Sequence, residues 1–74
     1  MNEQLLNAIA DAATKGIEVA IGSSGGFIYA KATSLEWSCR KVVSIEQCRQ
    51  SKIDLVAIAV VQCIDRIDRE RSGQ

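Results

Sequence analysis

The sequence predicts a single α+β domain over residues 1–74, with the element order α-β-β-β-α. Apolar residues recur at helical spacing near both ends of the chain, and the middle of the chain alternates between apolar and polar residues as half-buried strands do. Clusters of glycine and serine divide that middle region into hairpins. The simplest packing is a small antiparallel three-stranded sheet with both helices on one face.

The first helix is expected over residues 3–15. Leu5, Ile9, Ala12 and Ala13 form a narrow apolar stripe, and alanine on the packing side permits a close approach to the sheet. Gly16 follows the last turn, where a glycine commonly ends a helix.

Three strands are expected next. Residues 17–21 and 27–33 are separated by the glycine-rich segment 22–26, which predicts a hairpin with a loop of three to five residues. After a turn at residues 33–34, the third strand covers residues 35–43. Strand alternation in that segment places Trp37 and Cys39 on one face and Arg40 on the other.

One long helix is expected from Ser44 to about Arg69. The segment from Ser44 to Gln47 matches the capping box that starts a helix, and no turn signal follows it before Ser72. The last residues, 71–74, are expected to fray. A buried strand is the alternative for the β-branched segment Val56–Val61.

The middle of this helix, Ile53–Ile64, predicts self-association. It is apolar almost all the way round, whereas a helix that covers a small sheet needs an apolar stripe on one side only. A chain of 74 residues buries too little surface to cover the remainder, so a homo-oligomer is expected. The expected interface is a stripe of four residues, namely Val56, Val60, Ile64 and Ile67.

Composition favours a binding protein over an enzyme. The chain has no histidine, which excludes Ser-His-Asp and Cys-His catalysis, and the formal net charge is zero. Cys39, Cys48 and Cys63 are expected to be separated free thiols, without metal, cofactor or disulfide, in a reducing cytoplasm. The apolar run 53–64 is too short to span a bilayer, so no membrane partner is expected.

The candidate ligand site combines Trp37, Arg40 and Lys41. A lone tryptophan can stack on a base, and the two cations can hold phosphate. The glycine-rich loop, through Ser24 and Gly25, could close over a small anionic nucleotide-like ligand. The alternative places Trp37 in the core and makes the protein a module that blocks a macromolecular partner.

Two resemblances bear on function. The α-β-β-β-α order resembles that of double-stranded-RNA-binding domains, but the chain lacks their loop histidine, and its second helix starts Ser44-Ile-Glu-Gln47 and not with lysines. Nucleic acid is therefore the least favoured partner. In size, mixed α/β pattern and the apolar segment 53–64, the chain also resembles small bacteriophage accessory proteins, including anti-CRISPR proteins and sponges for cyclic-nucleotide immune signals. This resemblance implies inhibition by binding, without turnover.

Overall fold

The computed structural model describes residues 3–73 and confirms the expected α+β architecture. Its strands form one antiparallel sheet in the order β1-β2-β3, so β1 and β3 are both edge strands. The elements are α1 (Glu3–Thr14), β1 (Glu18–Ser24), β2 (Phe27–Ser34), β3 (Trp37–Ser44), α2 (Ile45–Gln50) and α3 (Leu55–Ser72).

The core lies between one face of the sheet and the helices α1 and α3. Ala30 and Ala32 of β2 and Cys39 of β3 are buried in one cluster with Ala8 and Ala12 of α1 and the inner side of α3. Small side chains on both layers allow the helices to approach the sheet closely, as expected from the alanines of α1. Both helices therefore cover the same face, which confirms the predicted packing.

Gly16 ends α1 as expected. Its φ of +72° is the left-handed conformation that glycine adopts without steric cost. The Gly16 N–H donates to the Ala13 carbonyl at 3.2 Å, and the Ile17 N–H donates to the Ala12 carbonyl at 2.9 Å. This pair of bonds is the Schellman motif, and Ile17 is buried just behind it.

The first hairpin is tighter than the sequence suggested, and the second turn lies two residues later than expected. The first turn is the pair Gly25–Gly26, with φ of +56° and +84°, and two positive φ values are the pattern of the type I′ turn that suits the twist of a hairpin. Strand β1 consequently continues to Ser24, through residues that were expected to form a loop. The second turn is Leu35–Glu36, not residues 33–34, and Leu35 has a φ of +50°.

The prediction of one long C-terminal helix is wrong. The Ser44 cap is confirmed, because the Gln47 N–H donates to Ser44 Oγ at 3.0 Å, but α2 ends after six residues. Asp54 then caps a new helix by accepting the Ala57 N–H at 2.9 Å. The 18 residues of α3 span about 27 Å, close to the ~26 Å length of an eight-residue strand, so the break lets α3 lie along the sheet without a long overhang.

The C-terminal residues that were expected to fray are helical as far as Ser72, whereas Gln74 lies outside the described residues. Arg71 belongs to α3 and donates to the buried Ser34 hydroxyl at 3.0 Å, the Lys15 carbonyl at 3.2 Å and an Asp68 carboxylate oxygen at 3.2 Å. Lys15 Nζ reaches the other oxygen of Asp68 at 2.8 Å. This junction ties the ends of α1, β2 and α3 together.

Candidate functional site

The three residues of the expected ligand site do not form one surface. Trp37 is half-buried on the helix-covered face and packs against the core. Arg40 lies on the opposite face, because successive strand residues alternate. Lys41 returns to the face of Trp37 but is exposed at the outer edge of β3.

Ser24 and Gly25 lie at the other end of the sheet. Ser24 pairs with Phe27 at the start of β2, whereas Trp37 pairs with Ser34 at its end. Seven residue steps along a strand separate these ends by roughly 23 Å. The glycine turn therefore cannot close over Trp37 within one chain.

The residues expected at an oligomer interface are core residues of the single chain. Val60, Ile64 and Ile67 are 1%, 2% and 1% exposed, and Val56 is half-buried. The sheet and α1 of the same molecule already cover Val60, Ile64 and Ile67, which corrects the assignment of these three residues, whereas Val56 lies outside that core cluster. The exposed large apolar residues lie elsewhere and are Leu6, Ile21, Phe27, Leu35, Val42, Ile53 and Val61.

The sheet has one face that the helices leave uncovered, which we call the open face. Phe27 and Val42 are 50% and 52% exposed there. The register places the following residues on it: Glu18, Ala20, Gly22 and Ser24 of β1; Phe27, Tyr29, Lys31 and Thr33 of β2; and Ser38, Arg40, Val42 and Ser44 of β3.

Tyr29 lies flat at the centre of the open face. Its ring crosses Gly22 on β1 so closely that a Cβ at position 22 would overlap the phenol. From β3, the guanidinium carbon of Arg40 lies over the ring, 4.9 Å from its centroid, which is within the range of a cation–π contact. Tyr29 is therefore half-buried although no helix covers it.

Two cations lie side by side next to Tyr29. Lys31 of β2 is directly opposite Arg40 of β3, and both are exposed. The two-residue turn makes Ser34 and Trp37 a hydrogen-bonded pair, and alternation from there makes Lys31 and Arg40 a non-hydrogen-bonded pair, in which side chains approach most closely. Like charges in this position repel each other. Within residues 3–73, the ion pairs are formed by other cations, namely Lys15, Arg66 and Arg71.

A second basic region surrounds Lys41 but is less suited to an anion. Lys41 lines a shallow cleft together with residues of α3, among them Asp65, Arg66 and Arg69. The carboxylate of Asp65 opposes an anion there, and Arg66 already pairs with Glu70 at 3.3 Å. No aromatic residue lines this cleft among the described residues, so it offers charge without a stacking surface.

The cysteines differ from their expected arrangement, since Cys39 and Cys63 are neighbours in the core. Burial, and then the adjacent Cys39 thiol, raise the pKa of Cys63 to about 12. Cys63 is fully buried, and its Sγ contacts the Ala30 carbonyl at 3.8 Å. A thiol with such a pKa is neither a good nucleophile nor a good metal ligand at neutral pH. In the described part of the chain, no group of three or more His, Cys, Asp or Glu residues is placed to hold a metal.

Of the candidate ligand residues named from the sequence, Arg40 and Ser24 lie on the open face, and only Arg40 lies beside Tyr29 and Lys31. Tyr29 and Lys31 were treated only as strand-forming residues. The signal was present in the alternation, because Phe27, Tyr29 and Lys31 are spaced two apart and share one face. What was missing was the register that sets Arg40 beside them.

Within residues 3–73, no helix combines the length and the apolar character needed to cross a bilayer. Comparison of the chain with protein-family models, with curated proteins and with solved structures gives no match.

Proposed function

We propose that this chain is a non-enzymatic binding protein that holds a small anionic, nucleotide-like ligand on the open face. The observation that carries the proposal is the side-by-side placement of Lys31 and Arg40, both exposed, with the Arg40 guanidinium over the ring of Tyr29. Charge for a phosphate and an aromatic surface for a base are adjacent there. The ligand is the one expected from the sequence, but its position is different.

In this proposal the phosphate lies between Lys31 and Arg40. Lysine contributes a compact point charge, and arginine contributes a planar fork that can hold two phosphate oxygens. An anion between them also removes the repulsion of two like charges on neighbouring strands. Binding therefore relieves an unfavourable interaction that the free protein contains.

The base stacks beside the phosphate, on the aromatic side of the open face. Phe27 is half exposed, two residues from Tyr29 on β2, and Val42 adds apolar surface opposite Tyr29. Stacking of a base on an aromatic side chain contributes about 1–3 kcal/mol and tolerates any base. Arg40 can leave the Tyr29 ring to bind phosphate, which frees that ring for the base.

Binding without turnover is the activity of a sponge. We propose that a bound nucleotide is retained unchanged, because among the described residues no hydroxyl of the open face is hydrogen-bonded to a basic side chain that could activate it. We propose that the protein sequesters its ligand in the cytoplasm, in the manner of a phage anti-defence protein. Cyclic nucleotides therefore belong among the first ligands to test.

Isothermal titration calorimetry with mononucleotides, cyclic mono- and dinucleotides, and inorganic pyrophosphate tests the proposal. We expect at least one nucleotide to bind more tightly than pyrophosphate, because only the nucleotide can stack. Replacing Arg40 or Lys31 by glutamine should weaken binding about tenfold or more, since hydrogen bonds to charged groups contribute about 1.5–3 kcal/mol.

The matched control is Arg49→Gln, which removes the same charge from an exposed position on α2. It should leave the affinity unchanged. Equal losses in Arg40→Gln and Arg49→Gln would contradict the proposal, because they would indicate a general charge effect. Absence of binding across the whole panel at millimolar ligand would also contradict it.

A further inference from the structure

Strand β1 is a free edge that, beyond its first residue Glu18, has none of the usual protection. Edge strands usually carry charges, prolines or bulges that prevent pairing with another chain. From Val19 to Ser24, β1 has no charged residue and no proline, and its pairing with β2 runs without a bulge from Glu18 to Ser24. The opposite edge, β3, carries Arg40 and Lys41 at its middle.

The hairpin geometry fixes which backbone groups of β1 point outward. In a hairpin with a two-residue turn, the residues that flank the turn form a hydrogen-bonded pair, here Ser24 and Phe27. Hydrogen-bonded and non-hydrogen-bonded pairs alternate along an antiparallel ladder. The N–H and C=O groups of Val19, Ile21 and Ser23 are therefore directed away from β2, to the free edge.

We propose that this edge pairs with a second copy of the chain, antiparallel and with a two-fold axis at Ile21. Ile21 then pairs with Ile21 of the second copy. On one side of this pair Val19 pairs with Ser23 of the second copy, and on the other side Ser23 pairs with Val19 of the second copy. These three pairs form about six hydrogen bonds, because each hydrogen-bonded pair exchanges two. The result is one continuous six-stranded sheet.

Three features favour this register. A shift of the second copy by two residues in either direction loses one of the three hydrogen-bonded pairs. The register also sets Glu18 opposite Ser24 of the second copy, so the two glutamates lie at opposite ends of the new ladder. Ile21, which is 41% exposed on the helix-covered side, then contacts its own counterpart.

The same features limit the assembly to two chains. A pairing related by a two-fold axis uses both copies of β1 and leaves only β3 edges outside. Arg40 and Lys41 on each outer edge repel a further copy. The open faces of the two molecules then lie on the same side of one sheet. The pairing depends on β1 alone and does not require the ligand proposed above.

Solution mass tests the proposal. The native chain should have twice its monomer mass of 8.0 kDa in size-exclusion chromatography with light scattering at about 100 µM, because association depends on concentration. Ile21→Lys places a charge at the two-fold axis, and Ser23→Pro removes an outward N–H without removing a bond to β2. Both variants should be folded by circular dichroism and should have a mass of 8.0 kDa.

The control is Val42→Lys, which likewise replaces an exposed β-branched apolar residue with lysine but on the other edge strand, and which should leave the dimer intact. A native mass of 8.0 kDa at that concentration would overturn the proposal. So would a dimer that survives Ile21→Lys, or one that Val42→Lys splits.

Hydrogen exchange gives a second readout that needs no substitution. The amides of Val19, Ile21 and Ser23 should exchange slowly at high protein concentration and faster on dilution, because the proposed partner is the second copy. Exchange rates at these three amides that do not change with protein concentration would overturn the proposal.

Discussion

Leu35 occupies a backbone conformation that its side chain disfavours. Within the described residues it is the one non-glycine residue with a positive φ, and its side chain is 97% exposed. The left-handed region costs an L-residue about 1–2 kcal/mol, and an exposed side chain recovers none of that by packing. The two-residue turn imposes this conformation, because β2 and β3 pair in full up to Ser34 and Trp37.

Leu35→Gly should therefore stabilise the protein. Relief of the left-handed strain, less the extra backbone entropy of glycine in the unfolded chain, predicts a gain of about 0.5–1 kcal/mol in the free energy of unfolding. Urea denaturation measures it. Glu36→Gly, at the neighbouring turn position without a positive φ, should instead lower stability. A loss of stability in Leu35→Gly would show that the leucine side chain has a stabilising contact.

Gly22 is required by the ring of Tyr29. A Cβ at position 22 would overlap the phenol, so Gly22→Ala should cost about 1–3 kcal/mol of unfolding free energy, although alanine is the stiffer residue. The cost should largely disappear in a Tyr29→Ala background, because the obstructing ring is then absent. Urea denaturation of the single and double variants measures this coupling. An equal cost in both backgrounds would contradict the placement of the ring.

At the scale of elements, the sequence predicts which helices and strands exist, and in what order, better than it predicts their lengths. Gly16 marks the end of α1 and Ser44 marks the start of α2. The structure confirms both boundaries, because a local hydrogen-bonding pattern defines each of them. The break before α3 had a local signal too. Asp54 stands three residues before Ala57 and accepts its N–H, although in the sequence it also reads as an interruption of the apolar run 53–64. The choice between one helix and two depends on the length of the sheet, which is set by tertiary packing.

The junction of α1, β2 and α3 depends on charge. The ion pair with Lys15, followed by the charge of Arg71, lowers the pKa of Asp68, and the same contact with Asp68, followed by Asp11, raises the pKa of Lys15. A lowered carboxyl pKa stabilises the fold at neutral pH, and this contribution is lost as pH falls through that pKa. A raised lysine pKa stabilises the fold at and below neutral pH, and this contribution is lost only as pH rises through that pKa.

Asp68→Asn should therefore lower stability at pH 7 and have progressively less effect as pH falls toward about 2, where the native carboxyl is protonated as well. Urea denaturation across that pH range measures the difference between the two proteins. Asp65→Asn removes the same charge from an exposed position on α3. The stability difference between this variant and the native protein should not show the same dependence on pH. A stability difference that is independent of pH would contradict the role of the Asp68 charge.

At the scale of the whole molecule, the sequence shows a surplus of apolar residues but not where in the fold the uncovered ones lie. Periodicity can count apolar positions around α3, yet it cannot show that α1 and the sheet together cover Val60, Ile64 and Ile67. The uncovered apolar surface is distributed over the strands and turns. For the ligand site, alternation along β3 already places Trp37 and Arg40 on opposite faces of the sheet. Only the register of β2 against β3 shows that Arg40 lies beside Tyr29 and Lys31.

The three thiols report on opening of the whole molecule. Cys39 and Cys63 are buried between β3 and α3, and burial followed by the adjacent Cys39 thiol raises the pKa of Cys63 to about 12, whereas Cys48 on α2 is only half-buried. The thiolate is the nucleophile that attacks a thiol reagent, and the reagent must be able to reach it, so the more exposed Cys48 should react first under native conditions. Cys39 and Cys63 should react only when the sheet and α3 separate, at a rate that rises with urea as unfolding does. Cys48→Ser should remove the fast phase alone, and a fast native reaction at Cys63 would show that α3 separates from the sheet far more readily than its buried contacts imply.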